Sequence, residues 1–392
     1  MASLSATRPS FSDRRPHAEV SGAGFAGLTA AAALLLRGWT VRVHEKDREL
    51  RAFGAGIFLW ENGLRVLEKT GAADYVMAHS ASPPVYETQY QHVTVSRETF
   101  GPIRWRTMTR SHLYTAVLKA ARRLGAEILV DSEVVGAERD GTIRLASGET
   151  RKADLVVGAD GVGSPVRDSL NFKQTRDKSR DGITRLLVPR RKADLGPGEW
   201  DNVIDFWNLK PRVLRILYTP CNEQNLYLAL MAPREDKQGS RTPIDYELWA
   251  ENFPQLRPVL EEAAKVNGRY DGYETTVLDR WTDGRVALIG DAAHAMCPAL
   301  AQGAGCAMMN AYSLAASVSQ GGELEDALVE GERRERPITD RCQERSGWFA
   351  ATRSMSKGNQ FTSEILETAR YDATVSTPVP GTDGRAGRAL HP

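Results

Sequence analysis

Several features that mark other classes of protein are missing from this chain of 392 residues. No apolar run reaches the roughly 18 residues of a membrane-spanning helix. The first residues, MASLSATRPSFSDRRPHA, lack an apolar core segment, so we expect no secretory signal peptide. The formal net charge is only +1, which argues against a nucleic acid or an anionic membrane as the main partner.

Cysteine is also scarce, and the four present show no paired spacing of the kind that holds a metal ion: Cys221, Cys297, Cys306 and Cys342. Nothing else indicates export, so we expect reduced thiols in a cytoplasmic protein without a metal site. A hydrophobic content of 41% and a charged content of 26% are ordinary for a globular protein. The chain is long enough for two domains, or for one large domain with an inserted sheet.

A glycine-rich turn stands near the start of the chain, in EVSGAGFAGLTAAAALLLRGWTVRVHEK. Gly22, Gly24 and Gly27 follow a short apolar run and open an Ala/Leu-rich helix. In such a turn the first glycine makes the bend, the second lets a pyrophosphate approach, and the third lets helix and strand pack closely. The amides at the helix start, which include those of Phe25 and Ala26, favour an anion.

The strand after this helix ends at Glu45, close to the ~20-residue spacing of the acidic residue in dinucleotide sites. A carboxylate there accepts hydrogen bonds from a ribose 2′-hydroxyl and repels a 2′-phosphate. Lys46 follows it and is a further candidate for the cofactor site. The strand–turn–helix–strand order therefore predicts a bound dinucleotide, either NAD or FAD.

Two later segments repeat the strand-to-turn pattern. In RKADLVVGADGVGSPVRDSL a buried strand runs into Asp160-Gly161, and in GRVALIGDAAHAMCPALAQGAGCAMMNAYSL another ends at Gly290-Asp291. Each alone is compatible with an ordinary strand-to-helix connection. Together, and in this order after the glycine turn, the three segments resemble the fingerprints of the class A flavoprotein aromatic hydroxylases.

The resemblance covers nearly the whole chain. LRAFGAGIFLWENGLRVLEKTG is similar to the family's segment beneath the flavin, which implies that Arg51 lies near the ribose and pyrophosphate. MTRSHLYTAVLKAARRLG is similar to its R-x-x-L-x-x-x-L helix, which implies that Arg110 lies at the cofactor. The chain departs from the wider family at Ala301, Gly305 and Asn310.

The resemblance implies an α/β fold like that of para-hydroxybenzoate hydroxylase: a Rossmann-like FAD-binding domain, an inserted mixed β-sheet substrate domain and C-terminal helices. The predicted division is 17–84, 104–180 and 278–375 for the FAD-binding domain with its helices, 85–103 and 181–277 for the substrate-covering sheet, and 1–16 and 376–392 for disordered or flexible tails.

The residues around the G-D motif favour a flavin over NAD. Asp291, at a strand end, can accept hydrogen bonds from ribityl hydroxyls, and Pro298 fixes the chain beside the ring. Gly303, Ala304 and Gly305 offer backbone amides at a helix start, and such amides stabilise the negative charge of a reduced flavin.

Arginines and a tyrosine interrupt apolar strand faces in the predicted sheet, because strand side chains alternate with period two. They are Arg185 in GITRLLVP, Arg215 in PRVLRILYTP and Tyr227 in NLYLALMAP. A lone arginine on such a face needs a partner, since an unpaired buried charge is costly. A substrate carboxylate fits the two-pronged guanidinium, and an internal Asp or Glu is the alternative that the sequence alone slightly favours.

The resemblance makes Arg215 and Tyr227 the preferred substrate contacts, with Tyr86 and Arg185 as weaker candidates. Phe58 is a further substrate-binding candidate, although a close relative is expected to have tyrosine there. Tyr227 and Tyr86, together with Pro298, are also the candidates for catalytic roles.

Four stretches, ELRAFGAGI, HAMCPALAQGAGCAM, GEWDN and PITDRCQ, are closer still to a family member that oxygenates and opens a pyridine ring. This implies non-covalent FAD, with NADH or NADPH and O2 as co-substrates. The implied reaction inserts one oxygen atom ortho to the hydroxyl of a 3-hydroxypyridine carboxylate through a flavin C4a-hydroperoxide, with ring opening. The small-molecule aromatic carboxylate is the expected partner, and a homo-oligomer is compatible with the sequence.

Two alternatives stay open. One is a monooxygenase that hydroxylates a hydroxynicotinate without opening its ring. The other is a non-catalytic FAD-binding protein, against which the arginine- and tyrosine-bearing strands argue. A flavin-dependent halogenase is not expected, because its W-x-W-x-I-P segment is absent.

Overall fold

The computed structural model describes residues 14–50, 55–352 and 367–374. The strands are β1 His17–Ser21, β2 Thr40–His44, β3 Gly56–Trp60, β4 Tyr86–Tyr90, β5 Val93–Glu98, β6 Trp105–Thr109, β7 Glu127–Leu129, β8 Val134–Ala137, β9 Thr142–Leu145, β10 Thr150–Lys152, β11 Leu155–Gly158, β12 Gln174–Pro189, β13 Val203–Asn208, β14 Leu214–Pro220, β15 Asn225–Pro233, β16 Tyr270–Leu278, β17 Thr282–Asp283 and β18 Val286–Leu288.

The α-helices are α1 Phe25–Leu35, α2 Glu61–Thr70, α3 Ala73–Ala78, α4 Arg110–Arg123, α5 Pro165–Asp168, α6 Tyr246–Asn252, α7 Arg257–Ala264, α8 Asp291–His294, α9 Gly303–Ser317 and α10 Leu324–Thr352. Short 3-10 turns occur at Lys192–Asp194, Pro254–Leu256 and Pro298–Leu300. None of the helices in these described ranges is both long and apolar enough to cross a membrane.

The first large sheet has six strands in the order β17-β18-β11-β1-β2-β7. Its pairs are parallel, except for the antiparallel β17–β18 pair at one edge. Helix α1 packs against α9, and alanines on both helices lie in the core beside the sheet. Because the strands are parallel, their carboxyl ends meet at one edge, where ligands of such sheets bind.

The second large sheet has seven strands in the order β16-β12-β15-β14-β13-β4-β5. Its pairs are antiparallel except for β13–β4, which makes the sheet mixed. One face packs against α6 and α7 through residues such as Leu186, Ile216, Leu228 and Trp249. The predicted architecture, a Rossmann-like unit with an inserted mixed sheet and C-terminal helices, is confirmed.

The two predicted domains share strands. β12 runs across the predicted boundary at 180/181, and β16 runs across the one at 277/278. β4 and β5, from the predicted segment 85–103, complete the seven-stranded sheet. The division into domains therefore stays a prediction. At these two boundaries the chain continues as a strand and forms no linker.

The sequence predicts an N-terminal tail of residues 1–16, and in the structure Arg14 and Pro16 are hydrogen-bonded to the six-stranded sheet or to the residue before its strand β11. Arg14 Nη2 donates to Asp154 Oδ1 at 2.7 Å, and the Pro16 carbonyl accepts from Thr40 N at 2.9 Å. Residues 1–13 and the predicted C-terminal tail lie outside the described residues.

A carboxylate lies buried in the central strand β1. Glu19 is 1% exposed, and His44 Nε2 and His17 Nε2 lie 2.7 and 3.2 Å from its oxygens. Arg42 Nη1 donates to it at 3.0 Å. Burial alone would raise the pKa of the Glu19 carboxyl, but these hydrogen bonds and positive charges lower it from 4.5 to about 2.

The depressed pKa predicts an acid-sensitive contribution to stability. Ionised Glu19 stabilises the fold fully above its unfolded pKa of 4.5, and this contribution is lost as the pH falls towards 2. We therefore expect Glu19→Gln to lower the Tm more at about pH 7 than at about pH 3. Thermal melts followed by circular dichroism measure this, with exposed Glu323→Gln as the control. Equal losses at both pH values would contradict the assignment.

Candidate active site

A cavity lies between the carboxyl edge of the six-stranded sheet and the free face of the seven-stranded sheet. The glycine turn, the D-G and G-D loops and the start of α9 line one side. Strands of the seven-stranded sheet line the other. The lining thus joins the residues that the sequence assigned to cofactor and to substrate.

The three glycines of the first turn have different physical roles. A Cβ at Gly22, whose φ is +99°, would lie 2.5 Å from the Ala159 carbonyl oxygen, and one at Gly27 would lie 1.9 Å from that of Gly22. A Cβ at Gly24 would meet no protein atom within 4 Å, and Gly24 lines the cavity with Phe25 and Ala26. The first and third glycines therefore allow the turn, whereas the second keeps space for a ligand.

The carboxylate of Glu45 holds this turn. Its Oε2 accepts from Ala23 N at 3.0 Å, and its Oε1 accepts from Asp47 N at 3.1 Å. Lys46 is exposed and does not line the cavity, so its predicted contact with the cofactor has no geometric support. Arg51 lies outside the described residues.

Asp160 of the D-G motif carries a buried oxygen without a partner. Its Oδ2 accepts from Ser21 Oγ at 3.3 Å and from Val166 N at 3.2 Å. Its Oδ1 has no hydrogen-bond partner among the described residues, and burial raises the pKa of this carboxyl. A buried acceptor of this kind requires a donor. Asp160 itself does not line the cavity, whereas its neighbours Ala159 and Gly161 do.

Asp291 of the G-D motif begins α8, is exposed to solvent and lines the cavity. Enclosure in the protein raises the pKa of its carboxyl, while the positive charges of Arg110 and Arg185 act in the opposite direction. Burial lowers the pKa of Arg110, whose guanidinium carbon lies 4.8 Å from the centre of the Phe25 ring. The three charged groups thus face one another where the two sheets meet.

The start of α9 completes the cofactor side. Pro298, Gly303 and Ala304 line the cavity, and no side chain caps the helix. Gly305 does not line the cavity, because its Cα faces α2, where an added Cβ would lie 3.1 Å from Asn62 Oδ1. The amides at an uncapped helix start attract negative charge.

The opposite wall follows the alternation that the sequence predicted. Alternate residues of β12, β14 and β15, with Val213 just before β14, line this wall: Asp181, Ile183, Arg185, Val213, Arg215, Leu217, Tyr227, Ala229, Met231 and Pro233. Ala232 also contributes to the lining. Their neighbours in the sequence, such as Leu186, Leu214 and Leu228, pack in the core on the other face.

Arg215 has an internal partner. Its Nε donates to Asp205 Oδ1 at 2.6 Å, its Nη2 to Asp205 Oδ2 at 2.9 Å and its Nη1 to Met231 Sδ at 3.2 Å. The guanidinium also stacks 4.5 Å from the centre of the Trp207 ring. Asp205 thus takes the Nε–Nη2 edge of the guanidinium, which is the internal partner that the sequence alone slightly favours. The binding of a substrate carboxylate by Arg215 stays a prediction.

The other predicted substrate residues lie in the same wall. Tyr86 Oη donates to Asp205 Oδ2 at 3.2 Å, and Arg185 Nη1 contacts the half-buried Asp271 Oδ2 at 3.4 Å. Burial raises the pKa values of Tyr86 and Tyr227, so both phenols keep their protons. Phe58 also lines the cavity.

Several residues of this wall were not singled out from the sequence, among them Asp205, Trp207 and Tyr273. Asp205 and Trp207 alternate along β13, so the period-two pattern that identified Arg215 could have found them. Tyr273 lies on β16, and its buried hydroxyl has no hydrogen-bond partner among the described residues. Within residues 14–50, 55–352 and 367–374, no group of three or more His, Cys, Asp or Glu side chains could hold a metal ion.

Comparison with known proteins agrees with this geometry. The family described as FAD binding domain matches residues 17–341. The chain belongs to the FAD-dependent class A aromatic hydroxylases. The cavity fits FAD through the open space at Gly24 and through the start of α9, whose N-cap residue makes no side-chain hydrogen bond to the helix.

Members of the family resemble the chain to different degrees. The solved 2-methyl-3-hydroxypyridine-5-carboxylic acid oxygenase, in a tetrameric form, is 61% identical with a TM-score of 0.91, covering 93% of this chain and 99% of that one. A putative 2-heptyl-3-hydroxy-4(1H)-quinolone synthase of Rhodococcus erythropolis is 39% identical over 92% of this chain and 97% of its own. A 6-hydroxynicotinate 3-monooxygenase of Pseudomonas fluorescens is 27% identical over 82% and 88%.

Gly24→Val tests the cofactor side of this hydroxylase. The valine would meet no protein atom near its Cβ but would occupy ligand space, so we expect a folded protein that has lost FAD. Wild type should be yellow and release FAD on denaturation. Absorbance of the released flavin measures the cofactor, and circular dichroism measures the fold.

Gly196→Val is the matched control, because Gly196 also has open space around it and lies exposed outside the cavity. Full FAD content in Gly24→Val, or bound NAD in place of FAD, would overturn the assignment of this turn.

Proposed function

We propose that the enzyme inserts one oxygen atom of O2 ortho to the hydroxyl of a 3-hydroxypyridine carboxylate and opens the ring. The co-substrate is NADH or NADPH, which is consistent with a cytoplasmic enzyme. The observation that carries the proposal is the polar wall opposite the FAD side, where Arg185, Tyr227 and Tyr86 stand on strands of one sheet. The 61% identity to the pyridine-ring oxygenase supports the same substrate class.

We infer that Arg185 binds the substrate carboxylate. Its ion pair with Asp271 is long at 3.4 Å, and both side chains are about one-third exposed. Arg215, by contrast, is held by Asp205 through two short hydrogen bonds. A guanidinium with a weak internal partner gains more from a ligand carboxylate than one that is already paired.

The remaining wall residues orient and enclose the ring. Tyr227 and Tyr86 stay protonated because burial raises their pKa values, so they hydrogen-bond the substrate and do not act as strong bases. Phe58 and Pro298 add apolar surface that excludes water. FAD, when bound, would supply the transfer of electrons from the nicotinamide to O2 and the activation of O2.

The tetrameric form of the pyridine-ring oxygenase supports a homo-oligomer for this enzyme too. Hydroxylation of a hydroxynicotinate without ring opening is the second candidate, which the Pseudomonas relative supports at lower identity. A non-catalytic FAD-binding role is not favoured, since the relatives that match most of the chain are described as a synthase and a monooxygenase.

A substrate panel separates these reactions. The FAD-loaded enzyme is given O2 and NADH or NADPH with hydroxypyridine carboxylates, 6-hydroxynicotinate and 2-heptyl-4(1H)-quinolone. We expect a 3-hydroxypyridine carboxylate to accelerate nicotinamide oxidation and to give a ring-opened product, detected by mass spectrometry. A product that gains one oxygen and keeps its ring would favour the second candidate, and stimulation by the quinolone alone would overturn both.

Arg185→Met tests the carboxylate site. Loss of a charge-assisted hydrogen bond should weaken binding of a hydroxypyridine carboxylate by about tenfold to a hundredfold. Binding of 3-hydroxypyridine, which lacks the carboxylate, should change little, and Arg185→Lys should restore binding only in part. Titration of the flavin absorbance measures each Kd.

Arg180→Met is the matched control, because Arg180 lies on the same strand but is exposed and outside the cavity. Equal weakening of both ligands, or loss of FAD in Arg185→Met, would show that Arg185 has a structural role only.

A further inference from the structure

The Asp205–Arg215 pair forms a fixed part of the substrate wall. The two side chains are 1% and 14% exposed, and both line the cavity. Every nitrogen of the Arg215 guanidinium has a protein acceptor, two on Asp205 and one on Met231. Asp205 also accepts from Tyr86 Oη at 3.2 Å.

This pairing changes the charge that a ligand meets. Without Asp205, the wall would present two arginines, Arg185 and Arg215, to the substrate. With Asp205, the Arg215 charge is balanced inside the wall, and Arg185 is the arginine there whose partner is distant and partly exposed. The wall is therefore matched to one carboxylate, because a second carboxylate would face the Asp205–Arg215 pair, lose its water and gain no cation.

We propose that Asp205 is a positioning residue that restricts the enzyme to aromatic monocarboxylates, by occupying the Arg215 fork that would otherwise bind a second carboxylate. The inference rests on the proposed function, since it concerns the substrate class of the same site. It also gives a reason for the presence of a buried aspartate in the wall of this cavity.

The test compares FAD-loaded wild type with Asp205→Asn, which keeps the shape of the side chain but removes its charge. The ligands are 5-hydroxypyridine-3-carboxylate and the isomeric 5-hydroxypyridine dicarboxylates, titrated by flavin absorbance in a buffer without carboxylates. We expect the preference for the monocarboxylate over at least one dicarboxylate to fall by about tenfold to a hundredfold in Asp205→Asn, the size of one hydrogen bond to a charged group. An unchanged preference for every isomer would overturn the proposal.

Asp236→Asn is the matched control, because Asp236 accepts both prongs of Arg212 at 2.7 Å but lies outside the cavity. It should leave the ligand preference unchanged. A shift as large as that of Asp205→Asn would show that the effect comes from general loosening of the sheet.

The double variant Asp205→Asn/Arg215→Gln keeps the proposal testable if Asp205→Asn fails to retain FAD, because it replaces the ion pair with two neutral amides. It should bind the monocarboxylate within about threefold of wild type and still reject dicarboxylates. Loss of monocarboxylate binding by tenfold or more would show that Arg215 itself binds the substrate carboxylate, against the proposal.

Failure of the proposed function has a different signature. Wild type would then bind none of the hydroxypyridine carboxylates, whatever residue stands at 205. The same comparison made with hydroxybenzoate and hydroxyphthalate isomers would still test Asp205, because the argument depends on the number of carboxylates and not on the ring nitrogen. A preference that Asp205→Asn does not alter in this series either would overturn the role of Asp205.

Discussion

One face of the seven-stranded sheet lines the cavity and carries charged side chains, whereas the other face packs in a hydrophobic core. Because strand side chains alternate, the residues that bury one face against α6 and α7 force their neighbours onto the cavity face. An arginine on that face cannot remain unpaired in an enclosed site. Both arginines of the wall are accordingly set against a carboxylate: Arg215 against Asp205, and Arg185 against Asp271.

The cofactor side of the cavity follows the opposite rule. There, among the residues that the structure describes, Asp160 Oδ1 beside the cavity has no hydrogen-bond partner, and the N-cap residue of α9 makes no side-chain hydrogen bond to the helix. Open space at Gly24 adjoins them. A group that is always present can satisfy such atoms, so the fold can depend on the cofactor to complete them. The substrate, by contrast, binds and dissociates in each turnover, so the wall that contacts the substrate must be stable when the site is empty.

The sequence predicted the elements of this arrangement better than their pairing. The glycine turn, the D-G and G-D motifs and the period-two faces depend on residues close together in the chain, and all of them are found where they were expected. The partner of Arg215 depends on which strands are neighbours. β13 pairs with β14 so that Trp207 lies opposite Arg215 and Asp205 opposite Leu217. This register places Asp205 and Arg215 as diagonal neighbours on one face. The positions of Lys46 and Gly305 outside the cavity lining have the same origin, since side-chain direction beyond a turn depends on tertiary packing.

Stability alone does not explain an ion pair in the substrate wall. A buried pair recovers little more than the cost of removing both charges from water, and apolar residues of similar volume are often as stable. The Asp205–Arg215 pair has a geometric effect that an apolar pair would lack, because it fixes the Tyr86 hydroxyl and the Trp207 ring beside it. It also leaves the net charge of that part of the wall at zero. A flavin enzyme that must orient one ring for attack at one carbon gains from a rigid, neutral wall, since a second attractive cation would allow the ring to bind in a second orientation.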